Sequence, residues 1–347
     1  MSNRSVAPSA RLSGSLFLAA PMLAALIYPV CLSALFNSGR VLLAGGGIRG
    51  AVLVAGSLLL VFAVPALGLY ASIRLGAIEH PTVGQARARA FAHLAYACPP
   101  LFTLIGVLLY IAGLSGELVV WSAIWIPVLA FVFWSAGNGA PASSATRAPD
   151  RLRFLHGVSA ATLLAIFLVW HISNHVLGFW SAELHQAAMK FLRTWYRSAA
   201  VEPILVALMV FQIGSGVVLL RGRLSQPSDL YASLQTAAGA YLAIFITSHL
   251  NAVFPLGRWE MGIDTDFFFA SGGPAGLLAD AWNVRLIPHY SLAVWSLFTH
   301  AACGLRSVLL AHSTNKATAD RIAGSLSALG AVIAAIITAA LCRVHIG

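Results

Sequence analysis

Nine stretches of this chain are apolar for long enough to cross a bilayer, and that bounds every other reading. A helix needs roughly 20 residues to span about 30 Å of hydrocarbon. The stretches run over 14–36, 50–73, 90–113, 118–137, 156–180, 202–220, 232–253, 286–310 and 322–342. Of the 347 residues 59% are hydrophobic and 9% charged, whereas soluble domains carry about 25% charged residues. The expected fold is an all-α polytopic membrane bundle of about nine transmembrane helices.

The first stretch follows Arg4 and Arg11, as the apolar run of a signal peptide would. It is too long for that role and no small-x-small cleavage site follows, so it is read as the first span. With the N-terminus inside, 13 of the 21 basic residues fall in inner segments, and seven of the eleven acidic residues fall outside. The positive-inside rule then gives N-in, C-out. The net charge of +10 is a topology signal and an attraction to anionic lipid; nothing points to nucleic acid. Cys31, Cys98, Cys303 and Cys342 form no CxxC or CxxCH motif. Covalent c-type haem and zinc ribbons are therefore excluded, and the cysteines read as small packing residues.

Residues 138–150, rich in small and turn-forming side chains, divide a four-span module (1–137) from a five-span module (151–347). The halves align weakly. The first span laid on the fifth matches Leu12 with Leu155, Gly14 with Gly157 and Phe36 with Phe179, placing Tyr28 opposite His171. The third laid on the seventh places Tyr110 opposite His249. In this reading the first half is a repeat that has lost its histidines. No segment reads as a soluble catalytic domain. The longest loop, about 254–285, is expected to form a compact outer cap.

A titratable ring in hydrocarbon is costly and marks a function by default. His171 and His249 lie about 15 to 17 residues into the fifth and seventh spans, which run in the same direction. At about 1.5 Å per residue both reach one depth in the outer half of the membrane. Two rings on separate helices at one depth are what holds a haem iron from both sides; the bland alternative is two histidines bonded to backbone carbonyls. Gly239 precedes His249 by ten residues and suits a helix wall thinned beside a flat macrocycle, although ordinary helix packing explains glycine too. In the inner half Gln212 and His300 share a depth, followed by Gly216 and Gly304. They read as a second site in which one histidine has become glutamine, vacant or holding something else. His156 reads as an interfacial cap, with a propionate or quinone contact as the alternative. His175 is expected to reach the outer interface and His93 to be interfacial. His289 is a candidate contact for the outer haem or a quinone. His80, His312 and His345 read as solvated.

At these residues the chain resembles the transmembrane cytochrome b of succinate dehydrogenase and fumarate reductase, in its five-helix form. Leu155-His156 leading to His171, Leu234-Gln235…Gly239…His249, and His300-x3-Gly304-Leu305 carry the likeness over about 150–312. The segment Ala182-Glu183…Glu202-Pro203 falls where that family joins its first two helices. The resemblance implies an outer haem b on His171 and His249, and an inner haem on the positions of Gln212 and His300. The departure at Gln212 puts that inner haem in doubt. It also implies a membrane quinone, soluble dehydrogenase subunits and a bacterial inner (cell) membrane, with this chain a non-catalytic subunit of a quinone-linked oxidoreductase.

Three functions compete. The first is a haem b carrier moving electrons between the quinone pool and a partner. The second is a redox or quinone sensor, in which one outer haem biases the bundle and a signalling partner reads it. The third is a haem-free transporter or scaffold, favoured by the repeat but disfavoured by spans that look uninterrupted and by the lack of an intramembrane carboxylate.

Overall fold

The computed structural model describes residues 8–143 and 148–346, so Arg4 and Arg147 of the charge count lie outside the described residues. Among those residues there is no strand, only an isolated bridge between Thr82 and Pro141. Thirteen α-helices follow in order: α1 (Pro8–Leu43), α2 (Gly47–Gly76), α3 (Val83–Tyr96), α4 (Cys98–Ile111), α5 (Glu117–Ala136), α6 (Asp150–Leu163), α7 (Val169–Leu177), α8 (Ala182–Tyr196), α9 (Val201–Arg221), α10 (Leu230–Asn251), α11 (Phe267–Ser271), α12 (Leu286–Ala311) and α13 (Lys316–Leu341). A π-helical segment, Leu164–Leu168, joins α6 to α7 as one span, and another, Ala252–Glu260, prolongs α10. The protein is thus an all-α, multi-pass membrane bundle. Exposed apolar side chains such as Ile48, Leu59, Trp134 and Phe154 face lipid.

Eight spans are continuous, and the third is broken. The axis turns by 66° between α3 and α4, so the uninterrupted third span expected from sequence is corrected. Pro99 and Pro100 follow the break at Ala97. A proline has no N–H to give and its ring crowds the carbonyl four residues back, so the preceding turn cannot continue straight. A capping box starts α3: Gln85 N–H donates to Thr82 Oγ1 at 3.2 Å and Thr82 N–H to Gln85 Oε1 at 2.9 Å.

Close backbone approach holds the first half together. A Cβ on Gly68 would lie 2.4 Å from the Tyr96 nitrogen, so only glycine lets α2 cross α3 there. On α1, Ala19, Met22, Ala25, Tyr28, Leu32 and Leu35 recur every three or four residues and are all buried. That stripe packs against α2 and α5, and Trp121 Nε1 donates to the Ala25 carbonyl at 2.9 Å.

The halves share this core. Tyr96 and Ser296 hydroxyls bond at 2.7 Å. At one end of the bundle Arg285 grips Glu117 with both terminal nitrogens, against Trp282 and Phe102. Arg89 is buried and donates to the carbonyls of Arg223 and Gln226 at 3.1 and 2.8 Å. Arg89 is therefore a clamp on the turn between α9 and α10. The spans α6–α7 and α9 are the least buried in the bundle.

Candidate functional site

Spans α6–α7, α9, α10 and α12 carry the site. Ser181 caps α8, its Oγ accepting from Leu184 N–H at 3.1 Å. This helix has His185 and Met189 buried, with Leu184, Phe191 and Trp195 exposed, the pattern of a helix lying along the membrane surface. The cap is smaller than expected, because the helix of the seventh span continues to Glu260 and carries Arg258, Trp259 and Glu260 on its end. The rest is tied down against α8. Arg193 and Arg197 both donate to Asp264 Oδ1, at 2.6 and 2.9 Å, and Arg258 pairs with Glu202 at 2.8 Å.

His171 and His249 face each other from α7 and α10 with ring centres 6.2 Å apart. Each ring is steadied by a phenylalanine one turn earlier: Phe167 on His171 (4.9 Å, 24°) and Phe245 on His249 (5.5 Å, 14°). The two π segments lie immediately before His171 and after His249; such bulges shift the register of a helix face and gather at functional sites. His175, expected from sequence to reach the outer interface, packs among other rings. Its ring lies 4.7 Å from His171 and 5.1 Å from His185, and its buried Nδ1 has no protein partner. Burial first, then Arg193, hold His185 down to a pKa of about 4, against the pull of Asp266. His289 is buried 4.8 Å from Phe245, one ring removed from His249.

At the other end of these spans the arrangement differs from the one read in sequence. The ring that faces His300 is His156, with centres 6.2 Å apart. Gln212 turns to α6, donating from Nε2 to the His156 carbonyl at 2.9 Å and to Ser159 Oγ at 2.5 Å. His156 Nδ1 bonds Ser215 Oγ at 2.7 Å and His300 Nδ1 bonds the Gln235 carbonyl at 2.9 Å. Gly239 packs on His300: a Cβ there would lie 2.8 Å from His300 Cε1. Gly304 faces Gln235 at an ordinary 3.5 Å and Gly216 faces His156 at 3.7 Å.

The other sequence expectations resolve individually. His93 is buried with Nδ1 on the Arg89 carbonyl at 2.7 Å, not interfacial. His345 docks its Nδ1 on the Gly178 carbonyl at 2.8 Å, while His312 is exposed. Tyr28 and Tyr110 do not meet. The first is buried beside Phe102 and Trp121, and the second is exposed on α4. All four cysteines are free, and three of them are buried.

No cluster of three or more His, Cys, Asp or Glu among the described residues has the form of a metal site. A bare ion would lack ligands, whereas a metalloporphyrin supplies four nitrogens of its own and needs only two axial donors. A metal–imidazole bond is about 2 Å and the ring centre lies about 1.1 Å further on, so an iron between two histidines keeps ring centres roughly 6 Å apart. Both pairs fit that spacing. All four histidines are half-buried, unlike His93 and His289. Fold and site together define a polytopic helical membrane protein with paired histidines between its spans. No family model, curated protein or solved structure matches this chain.

Proposed function

We propose that the protein is a haem b electron carrier of a bacterial cell membrane, exchanging electrons between membrane quinone and a partner, with His171 and His249 as axial ligands of an outer haem. The observation that carries this reading is the 6.2 Å ring separation across α7 and α10. A bis-histidine iron has no open position, which suits electron transfer rather than oxygen chemistry. The chain's own part is to orient and enclose the ligands. Phe167 and Phe245 fix the ring planes, and the cap stapled by Arg193, Arg197 and Asp264 covers that end. The likeness to the membrane anchor of succinate dehydrogenase and fumarate reductase supports the same reading and makes this chain a non-catalytic subunit.

A haem-free transporter is the second reading, and the 66° break between α3 and α4 favours it. One experiment decides between them. The chain is expressed with ample haem, purified in detergent, and examined by a reduced-minus-oxidised spectrum and a pyridine haemochrome assay. A b-type spectrum that a quinol reduces is expected, with the outer haem lost in both His171→Ala and His249→Ala and kept in His300→Ala. A colourless protein would sink the carrier reading.

A further inference from the structure

A cleft of about 320 Å³ opens at the end of the bundle where α2, α5 and α9 finish and α3 and α10 begin. Its walls are the first two turns of α3, the start of the linker after α5, and the turn between α9 and α10. Arg87 and Arg221 line it together with the hydroxyl side chains Ser143 and Ser225. The walls are fixed from behind. An antiparallel bridge pins the linker to the start of α3, with Val83 N–H donating to the Ala140 carbonyl at 2.9 Å and Ala142 N–H to the Pro81 carbonyl at 3.0 Å. Arg89 grips the turn through three of its carbonyls and Ser228 Oγ. A ligand therefore meets a shape already set, and little ordering cost stands against its binding.

Charge decides what enters. Among the described residues no carboxylate lines the cleft, and none is paired with Arg87, Arg89 or Arg221. Arg87 stacks on Phe131, its guanidinium carbon 5.1 Å from the ring centre, and its buried Nη1 has no hydrogen-bond partner. The acceptors around Arg89 are neutral oxygens. Three positive charges without a counter-ion, gathered at one concave site, attract an anion. The guanidinium fork matches phosphate oxygens in particular.

Depth decides which anion. Phe131 packs on Trp134 with ring centres 5.7 Å apart, and Trp134 is 73% exposed two residues before the end of α5. A tryptophan so placed lies at the headgroup level of a bilayer. The stack of Trp134, Phe131 and Arg87 sets the guanidinium at that level, while Val83, Ala86, Ala90 and Leu224 give the cleft an apolar wall. We propose that the cleft binds the phosphate of an anionic phospholipid, with Arg87 and Arg221 as its ligands and the apolar wall against the start of the acyl chains. Basic pockets between spans hold anionic headgroups by the same physics. Two of the three walls precede residue 150, outside the stretch that carries the cytochrome likeness, and the site stands whether or not the chain holds haem. A lipid seated there bridges α3, the linker and the α9–α10 turn, and so joins the two halves of the chain.

Native mass spectrometry of the full-length protein in detergent tests the proposal, with dioleoyl phosphatidylglycerol or dioleoyl phosphatidylcholine titrated in. The first phosphatidylglycerol is expected to bind about tenfold tighter than the first phosphatidylcholine, whose choline cation the arginines repel. Arg87→Gln and Arg221→Gln should each weaken that first binding about tenfold. Arg321→Gln, on an exposed arginine of α13 at the same end, should leave it unchanged. Arg221 is also exposed, so its variant decides the matter even if Arg87→Gln fails to fold. Equal affinity for the two lipids overturns the proposal, as does an Arg221→Gln protein that binds phosphatidylglycerol like the parent. Inorganic phosphate at the same concentration as the lipid should leave the lipid bound. Displacement by it would make the cleft a site for a free anion and overturn the lipid assignment.

Discussion

Gly239→Ala tests the close approach of α10 to the His300 ring. The added methyl would lie 2.8 Å from His300 Cε1 and 3.0 Å from Nδ1, where ordinary contact begins at 3.4 Å. The ring must retreat by about 0.6 Å, or α10 and α12 must part by as much. Overpacking of this kind costs about 1–3 kcal/mol. The His300 bond to the Gln235 carbonyl, 2.9 Å long, is strained by the same movement, and losing it costs about 0.5–1.5 kcal/mol. Alanine in a helix interior returns about 0.5–1 kcal/mol over glycine, so a net loss of about 1–3 kcal/mol is expected. Thermal unfolding in detergent reads the outcome. Gly304→Ala, whose Cβ would meet nothing closer than 3.5 Å, should unfold with the parent protein. A Gly239→Ala protein as stable as the parent would refute the reasoning.

Other regions yield three further expectations. Glu117→Gln leaves Arg285, 8% exposed, without its carboxylate; removing one partner of a buried pair costs about 3–5 kcal/mol, reduced to about 2–3 kcal/mol because Glu117 is 22% exposed. Thermal unfolding in detergent should show that loss, and Glu117→Gln with Arg285→Met should recover part of it. Arg89→Met removes charge-assisted bonds worth about 1.5–3 kcal/mol each. It should speed trypsin cleavage at Arg221 and Arg223, and an unchanged rate would count against the clamp. His185 titrates near 6.5 in an unfolded chain and at about 4 in the fold. Its contribution is therefore fully present above about pH 6.5 and lost as pH falls toward 4, up to about 3 kcal/mol. Protection factors along α8, the exchange rates referred to the intrinsic rate at each pH, should fall over that window and become pH-insensitive in His185→Gln.

The spans were legible because hydrocarbon demands length and apolarity, and both can be read in a single line of residues. His171 and His249 were legible for the same reason: two polar rings at equal depth stand out against Leu, Ile and Phe. The break at Ala97 had a signal, Pro99-Pro100, which a hydropathy average hides because Cys98, Leu101 and Phe102 keep the window apolar. His156 was placed at a membrane mouth because the apolar run begins there. The helix itself starts at Asp150, since Arg151 and Arg153 keep long stems in the helix and carry their charges to the interface. His156 therefore lies six residues deep. Its partner was not readable at all. Which ring of α12 meets which ring of α6 depends on how four spans pack, and Gln212 occupied the tempting register.

Bis-imidazole ligation at the outer pair is tested most directly by near-infrared magnetic circular dichroism of the oxidised protein, because the position of its charge-transfer band reports the axial ligands. The expected result is a bis-histidine band whose outer-haem share disappears in His171→Ala and equally in His249→Ala. A band indifferent to either histidine, or the absence of any haem from protein made with haem in excess, would contradict it.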